Sequence, residues 1–176
     1  MAFVLYTFIA IYPLLYIDFY GVTTATANFY ASLFGLFGIP FGVVAGMLID
    51  KTQKPKQLIA LSFIVMALSS IGALYLDNSN ARFIIQLFCL SSSCSLASSS
   101  VTITVPKSVS EPLIGYAMSF VNLFYYSSIV IGPPLVMTII EKNSWNSGIW
   151  VVFVGGLIGV VAAFIFMGAK NKEVVE

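Results

Sequence analysis

The chain is 176 residues long, with 59% hydrophobic residues, 9% charged residues and a formal net charge of +1. A water-soluble domain carries about 25% charged residues, so this composition excludes an ordinary soluble fold. The small net charge gives nucleic acid no footing, and the absence of histidine removes the commonest metal ligand and general base.

Six apolar runs of about the length that crosses a bilayer follow in order. They predict helices over 2–20, 26–49, 58–76, 82–105, 112–140 and 148–169, making residues 1–176 one all-α, six-helix transmembrane domain. The runs do not alternate as barrel strands would. Lipid offers no partner to free backbone groups, so closed helices are the physical solution.

The first run opens on Met1-Ala2-Phe3-Val4-Leu5 with no basic lead-in, so it is expected to be a retained span and not a cleaved signal. It carries Tyr12 and Tyr16 one turn apart on one face. Pro13 denies the carbonyl of Ile9 its usual bond. Asp18, near the outer end, is within reach of water, so an outer-gate contact is expected there before proton coupling.

The second run holds Asn28 and a small-residue stripe, Gly38, Gly42 and Gly46, which lets another helix approach closely. The third is almost purely aliphatic. The fourth holds Gln86, both cysteines and the serines from Ser91 to Ser100, which read as small packing residues. Cys89 and Cys94 are spaced for neither a disulfide nor a metal pair. The fifth holds Asn122, Tyr125 and Tyr126, then Gly132-Pro133-Pro134, a hinge or packing point where two donors are lost. The sixth is aliphatic again.

Tyr12, Tyr16, Asn28, Gln86, Asn122, Tyr125 and Tyr126 are the candidates to line a cavity, because uncharged donors and acceptors bind a solute without burying charge. Bonds between helices are an equally good use for them. The order polar, polar, apolar, repeated twice, predicts an inverted three-plus-three repeat with the third and sixth helices facing lipid.

Lys51, Lys54, Lys56, Lys107, Lys170 and Lys172 fall in loops on one side; Arg82 and Lys142 fall on the other. By the positive-inside rule the lysine-rich loops and both termini are cytoplasmic, in the plasma membrane.

The loop Gly46-Met47-Leu48-Ile49-Asp50-Lys51-Thr52-Gln53-Lys54-Pro55-Lys56 resembles the cytoplasmic signature of the major facilitator superfamily. Gln53 stands where a glycine is usual and Pro55 interrupts the basic pair, so a different turn is expected. The stretch from Tyr12 to Thr23 is similar to the outer end of that family's seventh helix. Gly115 to Asn122, with Gly132-Pro133-Pro134-Leu135-Val136, is similar to its eleventh.

The resemblance implies a twelve-helix secondary transporter of two halves, of which this chain is the C-terminal one. A first span beginning at Met1 suggests an upstream half lost or encoded separately. It further implies that Gly46, Asp50, Lys51, Lys54 and Lys56 form a cytoplasmic latch against the other half; a solvated loop is the plainer reading. The expected partners are a small solute, a coupling proton or sodium ion, the bilayer and a second six-helix half, self or cognate. No cofactor, metal or catalytic residue is expected, since the spans lack any nucleophile–base pair. The alternative is a truncated or non-transporting subunit that only packs against other membrane proteins.

Overall fold

The structure is a computed structural model that describes residues 1–76 and 79–168. Six helices account for it: α1 (Ala2–Leu14, widening into a π turn, Leu15–Phe19), α2 (Thr24–Thr52), α3 (Pro55–Gly72), α4 (Asn80–Lys107), α5 (Ile114–Lys142) and α6 (Trp145–Gly168). A short 3-10 turn, Glu111–Leu113, leads into α5. All six are long and apolar enough to cross a bilayer. The fold is an all-α membrane bundle.

Local signals set most helix ends. Gly21 takes φ +65, a left-handed conformation that suits glycine, between α1 and α2. The Thr23 hydroxyl then accepts from the backbone N–H of Thr26 at 3.4 Å and caps α2. Pro55 opens α3 at a position where no donor is missed.

The third span ends at Gly72, short of the expected 76. The chain tightens there, with Leu74 N–H donating to Ile71 O and Tyr75 N–H to Gly72 O, both at 3.1 Å. The Tyr20 hydroxyl secures this corner, donating to Ala73 O at 2.6 Å and accepting from Leu76 N–H at 3.2 Å. Hydropathy of Leu74, Tyr75 and Leu76 carries no trace of that turn.

Packing follows an exchange pattern. α4 packs on α2 as α1 packs on α5, and α3 packs on α6. Exchanging helices 1, 2 and 3 with 4, 5 and 6 maps the first pair onto the second and the third onto itself, as a three-plus-three repeat requires. The contact of α3 with α4 is much more extensive than that of α6 with α1. Phe3, at the start of α1, meets Gly132 and Gly155, each about 15 Å inside the far ends of α5 and α6 at 1.5 Å per residue. So α1 starts near mid-depth, and Met1 sits within the bundle and not beyond its lysine-bearing end.

In lipid, close packing and hydrogen bonds take over the role that water-driven burial plays in a soluble core. Glycines provide the close packing on α5 and α6. A Cβ on Gly148 would overlap Ile140, and one on Gly159 would overlap the Phe63 ring. A Cβ on Gly156 would lie 3.1 Å from Ala67 Cα. α3 buries Ser62, Met66, Ala67 and Ser70 against its neighbours α4 and α6, and leaves Leu61 and Leu68 exposed on its outer face.

Candidate functional site

Tyr12 and Tyr16 project from α1 and its π turn into the bundle, both fully buried. Their rings stack with centroids 5.3 Å apart, and Tyr16 meets Tyr30 and Phe83 edge-on at 5.5 and 4.9 Å. The Tyr12 hydroxyl donates to Gln86 Oε1 at 2.7 Å, while Gln86 Nε2 donates to Ser69 O at 2.9 Å. One amide thus ties α1, α3 and α4 together. Tyr30 on α2 donates to Asn80 Oδ1 at the start of α4, at 2.6 Å. Tyr20 and Tyr30 were not among the candidates read from the sequence, although tyrosines near span ends are a recognisable interface signal.

The Tyr16 hydroxyl is different. It is buried with no hydrogen-bond partner, as is that of Thr7 on α1. Unsatisfied buried hydroxyls are costly, which sets these two apart from the bonded tyrosines around them.

The other candidates lie elsewhere. Asn28 on α2 and Asn122 and Tyr126 on α5 are exposed, and Tyr125 is half-buried. Tyr125 donates to the Tyr6 hydroxyl at 3.1 Å, with the two rings edge-to-face at 5.7 Å. The structure does not bring all seven together. Tyr12, Tyr16 and Gln86 belong to the interior near one end, while Asn28, Asn122 and Tyr126 lie on open faces of α2 and α5.

Those faces are the least covered of the bundle. Phe29, Leu36, Ile39, Val43 and Met47 stand out from α2, and Tyr116, Phe120, Leu123 and Val130 from α5, all more than half exposed. On α2 a Cβ added at Gly35, Gly42 or Gly46 meets nothing within 4 Å. Only Gly38 is used within the bundle, where Ser91 and Ser95 of α4 donate to Phe34 O at 2.6 Å and Gly38 O at 3.1 Å. A crevice of about 250 Å³ between α1, α2 and α4 opens beside them, lined by Ile9, Gly35, Gly38, Ser91, Ser95 and Ser98.

The family model described as Major Facilitator Superfamily matches residues 1–175. The chain belongs to the major facilitator superfamily. Comparison with curated proteins returns no match. This is a superfamily of membrane transporters, and the chain is a multi-pass membrane protein of that kind.

Its signature loop is split by the structure. Asp50 and Lys51 are exposed at the last turn of α2, and no ion pair joins them to one another or to other described residues. Beyond them Gln53 takes φ 53 and ψ 26, the left-handed region, with its backbone N–H on Ile49 O. Its side-chain amide donates to Asp50 O at 2.7 Å. Gln53 thus stands in a backbone conformation that favours glycine. Lys54 and Lys56 then face a cleft with Lys107 of α4. The described lysines of the loops share this end, and Arg82 and Lys142 lie at the other; Lys170 and Lys172 fall outside the described residues.

Asp18 is exposed in the π turn. Gly132 is buried, where a Cβ would stand 2.8 Å from Thr7 Oγ1 and 3.1 Å from the Phe3 ring. Pro133 and Pro134 follow inside α5, which stays helical through both.

Proposed function

We propose that this chain is one six-helix half of a major facilitator transporter. It carries a small solute, with a coupling proton or sodium ion, by alternating access against a second six-helix body. That body is another copy of the chain or a cognate half, and the lysine-bearing loops lie in the cytoplasm of a plasma-membrane protein. The observation that carries the reading is the uncovered glycine stripe of α2. Small residues spaced by four permit a close helix approach, and Gly42 and Gly46 of that stripe, with Gly35 one turn before it, meet nothing in their own bundle.

The rest of the site fits that arrangement. Asn28, Asn122 and Tyr126 offer hydrogen bonds on the open faces, and the serine-lined crevice adds small polar walls. Tyr12 and Gln86 serve as the frame behind them, with Tyr16 the one buried tyrosine whose hydroxyl remains available. Asp50 and Lys51, exposed and unpaired among the described residues, are placed to latch onto the second body. Asp18 is an outer-gate residue, and Gly132-Pro133-Pro134 a hinge against Thr7 and Phe3.

Solid-supported membrane electrophysiology on proteoliposomes, run across sugars, amino acids, carboxylates and cationic drugs, tests this. A saturable, gradient-dependent current that Gly42→Leu abolishes is expected. A reconstituted assembly giving no current with any class would favour the alternative of a packing subunit, a reading helped by the interior location of Tyr12, Tyr16 and Gln86.

A further inference from the structure

A cavity of about 420 Å³ lies where the lysine-bearing ends of α3, α4 and α6 meet. That volume lies within the usual range of small-ligand sites. Its walls include Lys54, Lys56 and Lys107, the hydroxyls of Thr104 and Ser108, and the apolar side chain of Met167. Neither Asp50 nor Glu111, the carboxylates of the described loops at this end, is among them. Three cations from two loops thus converge on one concavity, away from the open faces of α2 and α5.

We propose that this cavity binds the phosphate group of an anionic phospholipid from the adjoining leaflet. Basic pockets between membrane helices on the cytoplasmic side suit such headgroups, and ammonium-to-phosphate bonds are charge-assisted. The hydroxyls do not supply the donors. Thr104 already donates to Ser100 O at 2.6 Å and Ser108 to Thr104 O at 2.8 Å. Lys54 and Lys107 do, and Lys56 adds its charge from beside the Phe166 ring, whose centroid lies 4.8 Å from its Nζ. A lipid is favoured over free phosphate because Met167 makes one wall apolar, and Phe164, one turn before it on α6, presents exposed hydrocarbon to an acyl chain. The site depends on membrane embedding and on this cavity, not on which solute is carried.

Native mass spectrometry of the full chain, titrated with phosphatidylglycerol, phosphatidylcholine or inorganic phosphate, reads the site directly. Wild type is expected to retain one phosphatidylglycerol in preference to phosphatidylcholine. The double variant Lys54→Gln, Lys107→Gln should bind it about tenfold more weakly, and Lys54→Arg with Lys107→Arg should restore it. Lys142→Gln, at the opposite end, should leave it unchanged. Equal retention by the glutamine variant, or equal retention of phosphatidylcholine, overturns the proposal. Displacement of phosphatidylglycerol by millimolar inorganic phosphate overturns the lipid as the source. Lost current with intact phosphatidylglycerol binding would instead count against transport alone.

Discussion

The glycines of α6 and those of α2 look alike in the sequence and do opposite things. Gly148, Gly155, Gly156 and Gly159 are filled by Ile140, Phe3, Ala67 and Phe63, so their small size is consumed inside the bundle. Gly35, Gly42 and Gly46 have nothing against them. A small residue in a membrane helix records a close approach, but not by what. The difference separates the part of the chain that holds itself together from the part built to meet something else.

The largest effect should come from filling a used position. Gly159→Ala is expected to cost about 2–3 kcal/mol through overlap with the Phe63 ring. Scanning fluorimetry in detergent should show the loss, and Phe63→Ala in the same chain should recover most of it. Gly42→Leu should instead leave the melting temperature near wild type and reduce transport current at least about tenfold, by blocking the second body. Were it to unfold the chain, the division between the two stripes would fail.

A smaller contrast divides the stacked tyrosines. Tyr12→Phe strands Gln86 and should cost about 1–2 kcal/mol. Tyr16→Phe removes a hydroxyl that bonds to nothing and should be neutral or slightly stabilising. If that hydroxyl serves the solute, the same variant lowers current with no loss of stability. The smallest effect is at Gln53, where Gln53→Gly should gain up to about 1 kcal/mol by relieving the left-handed backbone, measured by the same thermal scan.

Much of the bundle was legible because an uncharged apolar run of bilayer length is stable in lipid as a helix and in little else. The end of α3 was not, since Leu74, Tyr75 and Leu76 are as hydropathic outside the helix as inside. The interior placement of Tyr12 and Gln86 was hidden for a different reason. A polar group that bonds a neighbouring helix and one that faces a wet cavity are the same residue type on the same face. Only the orientation of α1 toward α3 and α4 decides between them. The cluster of Lys107 with Lys54 and Lys56 joins two loops about 50 residues apart and leaves no local pattern to read.

Chemical cross-linking in native membranes tests the central claim most directly. In a Cys89→Ala, Cys94→Ala background, Val43→Cys on α2 and Ile158→Cys on α6 are each treated with a short bifunctional thiol–amine reagent. A single added band from Val43→Cys, at twice 19.1 kDa or at the mass of one cognate half, with none from Ile158→Cys, is the predicted result. A chain that stays at 19.1 kDa from both positions would contradict a second body on α2.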